Sequence, residues 1–108
     1  MLEHLDILLE KYIGSRQELY YRTIASHGFR SGLNDESPTS FIKPDAQEVY
    51  SYGYKLGLMQ AISNKGFNDG LNSQPPQLFF QDKDRQEVYN KAYELGTKAA
   101  LTKMFNEF

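Results

Sequence analysis

The sequence predicts an all-α fold, a four-helix domain built from two tandem helix-loop-helix repeats plus an N-terminal amphipathic helix. Three observations carry this. Apolar residues recur at helical spacing along most of the chain, with no β-alternating segment of convincing length. The four prolines, Pro38, Pro44, Pro75 and Pro76, all fall in two loops, outside the helix interiors that exclude them. Finally, the text of residues 25–61 returns in residues 64–100. His27-Gly28-Phe29-Arg30-Ser31-Gly32-Leu33-Asn34 is matched by Lys65-Gly66-Phe67-Asn68-Asp69-Gly70-Leu71-Asn72, and Gln47-Glu48-Val49-Tyr50 by Gln86-Glu87-Val88-Tyr89. Gly28 and Gly66 are 38 apart, whereas Tyr50 and Tyr89 are 39 apart, so one residue is inserted in the loop, where insertions cost least.

In chain order, Leu2, Leu5, Leu9, Tyr12 and Ile13 share one face of a first helix over residues 2–13, opposite Glu3, Asp6, Glu10 and Lys11. Gly14 is placed to end it. Ser15-Arg16-Gln17-Glu18 reads as a capping box opening a second helix over 15–33. The same grammar in Asp45-Ala46-Gln47-Glu48 and Asp84-Arg85-Gln86-Glu87 opens helices over 46–71 and 85–106. The third is long, with a possible bend over 63–68. In the loops, Phe41, Ile42, Leu78, Phe79 and Phe80 are too apolar for solvated segments and are expected to fold back as plugs.

The 108 residues read as a single domain, with an N-terminal helix at 1–14 and repeats at 25–61 and 64–100. Small residues recur four apart: Gly28/Gly32, Gly66/Gly70, Gly53/Gly57/Ala61 and Ala92/Gly96/Ala100. Helical glycine costs about 0.5–1 kcal/mol against alanine, so it needs compensation. Close approach of two helix backbones supplies it, and Gly28, Gly32, Gly53, Gly57, Gly66, Gly70 and Gly96 are assigned to helix packing.

Gly28-Phe29-x-x-Gly32-Leu33, Pro38 and Tyr50-x-x-Gly53-Tyr54, repeated as Gly66-Phe67-x-x-Gly70-Leu71, Pro76 and Tyr89-x-x-x-Tyr93, resemble the ribosome modulation factor family of small bacterial proteins. The resemblance covers about 35 residues twice. It implies a helical hairpin, here in tandem, and in the family that hairpin binds ribosomes and promotes dormancy. The family is strongly basic and uses tryptophan-type aromatics, whereas this chain carries a net charge of −2 and tyrosines, with Thr39 after Pro38.

Chemical equipment is sparse. No Cys is present, which excludes disulfides and thiolate metal sites. His4 and His27 lie on different helices without ligand spacing, and there is no phosphate-binding glycine loop, calcium loop or nucleophile elbow. The expectation is therefore no enzyme, no cofactor and no metal. The acidic N-terminal stretch reads as neither signal peptide nor membrane span, so the chain is expected to be cytoplasmic. Lys91, Lys98, Arg85 and Lys103 could meet RNA, but Glu87 and Glu94 interleave and net charge disfavours nucleic acid.

Tyr20, Tyr21, Tyr50, Tyr52, Tyr54, Tyr89 and Tyr93 exceed what so small an interior holds, and tyrosine is enriched at interfaces. They are assigned to docking on a larger protein partner, with Leu2, Leu5, Leu9 and Tyr12 assigned to self-association as a homodimer. The expected function is a non-enzymatic regulator or inhibitor. Its size and style match bacteriophage inhibitors of host defence proteins. The alternative is a ribosome-associated protein acting through rRNA.

Overall fold

In a computed structural model the described residues are 2–78, 80 and 82–106, with side chains from Leu5 onward. The side chains of Leu2 and His4, and residue Phe79, lie outside the described residues. The chain is all-α: α1 spans Leu2–Leu9, a 3-10 turn spans Glu10–Tyr12, α2 spans Arg16–Leu33, α3 spans Pro44–Leu71 and α4 spans Lys83–Asn106. No strand occurs among the described residues. The chain divides into two compact units, Met1–Leu58 and Met59–Phe108. α3 runs helically through residues 63–68.

In the first unit, α1 ends at Leu9, earlier than residue 13, and tightens into the 3-10 turn. Gly14 then adopts a left-handed φ of 80°, which a side chain would strain. Ser15 occupies the N-cap position of α2 but does not cap it; its hydroxyl donates to the Tyr12 carbonyl at 2.6 Å. Glu18 does reach back, accepting from the Gly14 N–H at 2.9 Å. So the capping box is half formed, one residue early. Arg22 joins α2 to α1, pairing with Asp6 at 2.8 Å and Glu18 at 3.1 Å. The core gathers Leu9, Tyr21, Ile24, Ala25, Ala46, Val49 and Tyr50, with Leu5, Tyr12, Phe41 and Tyr54 packed against it.

α3 and α4 begin two residues ahead of the expected starts. Pro44 takes the first helical position, where its missing N–H is no loss. Asp45 therefore sits in the first turn of α3 instead of capping it, and turns to Tyr12 and Lys11. Before α4 the capping residue is Asp82, whose carboxylate accepts from the Asp84 N–H at 2.9 Å.

Within each unit the two packed helices run in the same direction, not as an antiparallel hairpin. A Cβ built on Gly28 would strike the backbone of Tyr50 and Tyr54, one on Gly32 that of Tyr54 and Leu58, and one on Gly57 that of Phe29 and Leu33. Partner numbers rise together. In the second unit Gly66 meets Tyr89, Gly70 meets Tyr93 and Thr97, and Gly96 meets Phe67 and Leu71. The built Cβ atoms lie 2.1–2.6 Å from the nearest carbonyl oxygen, so the helices touch backbone to backbone. A parallel pair needs a return path. From the level of Gly57 back to Pro44 is about 20 Å at 1.5 Å per residue, well within the reach of residues 34–43 at roughly 3.3 Å each.

α2 closes on a left-handed Asp35, φ 55°, with the Glu36 N–H donating to the Ser31 carbonyl at 2.9 Å. α3 closes likewise on Ser73, φ 58°, with the Gln74 N–H donating to the Asp69 carbonyl at 2.8 Å. These closures turn each chain into its return loop.

Candidate functional site

The tyrosines are the first residues to place. Gln47, Tyr50 and Tyr54 lie on one face of α3 at intervals of three and four residues. Each fastens the returning loop. The Phe41 N–H donates to Gln47 Oε1 at 2.8 Å, the Thr39 N–H donates to the Tyr50 hydroxyl at 3.1 Å, and the Tyr54 hydroxyl donates to the Glu36 carbonyl at 2.5 Å. Gln86, Tyr89 and Tyr93 make the same ladder on α4. Phe80 N–H donates to Gln86 at 3.3 Å, Gln77 N–H to Tyr89 at 3.0 Å, and Tyr93 to the Gln74 carbonyl at 2.6 Å. Loop carbonyls and amides need partners, and these side chains supply them.

Tyr50 and Tyr89 have no solvent exposure, and Tyr21 is buried against Tyr12, with ring centroids 4.5 Å apart. These three are interior residues, a correction to their assignment as docking residues. The physical reason is that a phenol can be buried when its hydroxyl has partners, and the loop backbone provides them. Tyr52, Tyr54 and Tyr93 are half-buried, and Tyr20 is exposed beside Tyr21. Three of the residues assigned to self-association are also corrected, Leu2 lying outside the described side chains. Leu9 is wholly buried in its own chain, and Leu5 and Tyr12 pack on the same core. Of the loop plugs, Phe41 stacks on Tyr50 at 5.2 Å and Phe80 on Tyr89 at 5.3 Å, but Ile42 is fully exposed and Leu78 is exposed. Adjacent residues of an extended segment face opposite ways, so with Phe41 inward Ile42 points out; Leu78 and Phe80, two apart, do not follow from that alternation.

The two ladders differ electrically. Ser31 stands beside Tyr50, whereas its counterpart Asp69 accepts from the Tyr89 hydroxyl at 2.6 Å. Burial pushes Tyr89 up, and the Asp69 carboxylate pushes it further. Burial also acts on Tyr50, but hydrogen bonds from Ser31 and Thr39 outweigh it and leave that phenol below its ordinary value.

A recess of about 440 Å³ beside the 3-10 turn is lined by Tyr12, Asp45, Lys11, Glu10 and Glu48. Of its three carboxylates Asp45 is engaged: the Tyr12 hydroxyl donates to it and Lys11 lies 3.2 Å away, which together hold that carboxyl below its usual range, while the bond to Asp45, burial and the neighbouring Tyr21 raise Tyr12. Among the described residues no group of three or more His, Asp or Glu side chains is placed to hold a metal ion. Nor is any described helix long and apolar enough to cross a membrane.

What the sequence reading missed is an exposed apolar face on the second unit. Leu95, Leu101, Met104 and Phe105 on α4 are all exposed, Phe105 at 78%, and Phe67 on α3 is exposed as well. Phe67, Ser63, Asn64, Ala92 and Leu95 line an open groove of about 390 Å³. The signal was available, since Leu101 and Phe105 lie one turn apart on a helix whose Gly96 face is already spent on packing. No family model, curated protein or solved structure matches this chain.

Proposed function

We propose that this protein is a non-enzymatic regulator or inhibitor that works by occupying the surface of a larger protein. The observation that carries the reading is the exposed apolar side chains of the second unit: Leu101 and Phe105, one turn apart on the side of α4 away from Gly96, and Leu95 beside Phe67 at the edge of the α3–α4 groove. Exposed apolar side chains gathered on one element mark docking surfaces. The docking residues are therefore aliphatic and phenyl groups of the second unit and not the ladder tyrosines. A phage protein acting on a host defence protein is the specific form that its size and catalytic emptiness suggest.

Two observations weigh against the ribosomal RNA alternative. Tyr50 and Tyr89 have no exposed ring face on which a base could stack. The net charge of −2 offers little for phosphate contacts to build on.

The test is capture of partners by the tagged full chain from bacterial lysate, with and without nuclease. The expected result is a single stoichiometric protein that survives nuclease and is lost with Phe105→Asp. Recovery of ribosomal particles that nuclease releases overturns the proposal in favour of RNA. Self-association through α1 is not expected, and light scattering should give the 12.5 kDa monomer.

A further inference from the structure

The two units share a sequence and a groove, but only the first groove is filled. In the first unit α1 lies across α2 and α3, with Leu9 packed among Tyr21, Ile24, Ala25, Ala46 and Val49 and with Leu5 closing the groove next to Phe29, Gly53 and Leu56. The repeat carries those positions to Met59, Ile62, Ser63, Arg85 and Val88, and to Phe67, Ala92 and Leu95. Exposure rises wherever α1 has no counterpart. Tyr21, Ile24 and Val49 are buried, but Met59, Ile62 and Val88 are only half-buried; Phe29 and Leu56 are half-buried, but Phe67 and Leu95 are exposed. The space itself grows from about 200 Å³ to about 390 Å³. Among the described residues no element of the second unit stands where α1 stands in the first.

The rim also changes sign. Tyr52, on the wall of the first groove, is replaced by Lys91, and Ala46 by Arg85. Lys91 makes no ion pair among the described residues, and Arg85 reaches only Asp82, at 3.9 Å. The helix that fills the first groove presents Leu5 and Leu9 one turn apart, with Asp6 and Glu10 beside them. Acids stay at the counterparts of Asp45 and Glu48, Asp84 and Glu87, so the charge that is new in the second unit is the positive charge of Arg85 and Lys91. It is complementary to acidic residues flanking an aliphatic pair that fits the groove in shape.

We propose that the α3–α4 groove of the second unit receives a short acidic amphipathic helix from the partner protein, with two aliphatic side chains one turn apart filling the space that Leu5 and Leu9 fill in the first unit. This rests on the protein-binding reading and specifies its partner. Helix-in-groove recognition needs little more than such anchors, and Lys91 and Arg85 fix the helix by meeting its acidic flank.

The probe is a synthetic peptide of residues 2–13, acetylated and amidated, titrated into the intact ¹⁵N-labelled protein. Saturable shifts are expected at the amides of Phe67, Ala92 and Leu95. Leu95→Glu should weaken binding at least 10-fold and Lys91→Glu several-fold, while Leu19→Glu, an exposed residue of the first unit, leaves it unchanged. Leu95 is exposed, so its variant should melt with the wild type and isolate binding from folding. Absence of binding, or binding indifferent to Leu95→Glu, overturns the proposal. So does a wild-type dimer that Leu95→Glu dissociates, since the occupant is then a second copy. If lysate capture yields one partner equally well with wild type and Leu95→Glu, the protein-binding reading stands and this groove falls.

Discussion

Replacing Gly57 by alanine sets two effects of opposite sign against each other. Alanine in a helix interior gains about 1 kcal/mol over glycine from backbone entropy. At Gly57, however, the new Cβ would lie 2.1 Å from the Phe29 carbonyl oxygen, 2.7 Å from the Leu33 nitrogen and 2.9 Å from the Phe29 carbonyl carbon. Ordinary contact begins at 3.4 Å, so α2 would have to retreat by about 1.3 Å. All three atoms are backbone, and none can swing aside. Overpacking costs roughly 1–3 kcal/mol where side chains can adjust, and this site lies at or beyond the upper end. The net loss should be about 2 kcal/mol, a fall in Tm of roughly 8–16 °C for a domain this size. Circular-dichroism melts and urea titration read it, with amide hydrogen exchange assigning the loss to the first unit. Gly96→Ala, whose Cβ meets the Phe67 oxygen at 2.1 Å, should do the same in the second, and leucine at either position should be worse. A Gly57→Ala protein melting at or above the wild type would mean that propensity wins and that the helices are not in backbone contact.

Further outcomes follow from the ladders, from the carboxylates around α1 and α2, and from an exposed loop position. Tyr89→Phe leaves the Asp69 carboxylate and the Gln77 N–H without their shared partner, and should cost about 1.5–3 kcal/mol. Tyr50→Phe loses only neutral bonds and should cost about 1 kcal/mol, both read by urea titration. Because the Tyr89 phenol is raised in the fold, its contribution is complete below its ordinary value of 10 and drains away as pH climbs through the raised one; Tyr89→Phe should flatten that alkaline decline in Tm. Glu18 is lowered by the Gly14 N–H and Arg22, and Asp45 by Tyr12 and Lys11. Their contributions hold above pH ~4 and vanish as pH falls through the lowered values, so Asp45→Asn should flatten the acid limb of the same profile. Ile42→Ser, at a fully exposed position, should shift stability by less than about 0.5 kcal/mol.

Helix type and approximate extent were legible because apolar period, loop prolines and glycine spacing all agree. Direction was not. Small residues four apart announce that two backbones meet, but they carry the same signature for parallel and antiparallel pairs; only the length of the connection, ten residues from Asn34 to Lys43, hinted at a return path. Tyr21, Tyr50 and Tyr89 were misassigned because counting aromatics ignores what a buried ring and its hydroxyl can pair with. Gln47, Tyr50 and Tyr54 share a helix face behind a long loop, and a loop lying along that face needs partners for its backbone. The caps were misread by two residues because Pro44 starts a helix as readily as Asp45 caps one. The groove of the second unit escaped notice for a different reason: the repeat made the copies look equal, and nothing in Phe67 or Leu95 says that α1 has only one copy.

The first ladder joins residues 6, 11 and 18 positions apart, and the second residues 6, 12 and 19 apart. Such short-range bonds let loop and following helix assemble in small steps, each closing little chain, which favours fast folding. A stretch with this construction brings its own fastening. It can follow another such stretch without renegotiating the bonds of the stretch before it.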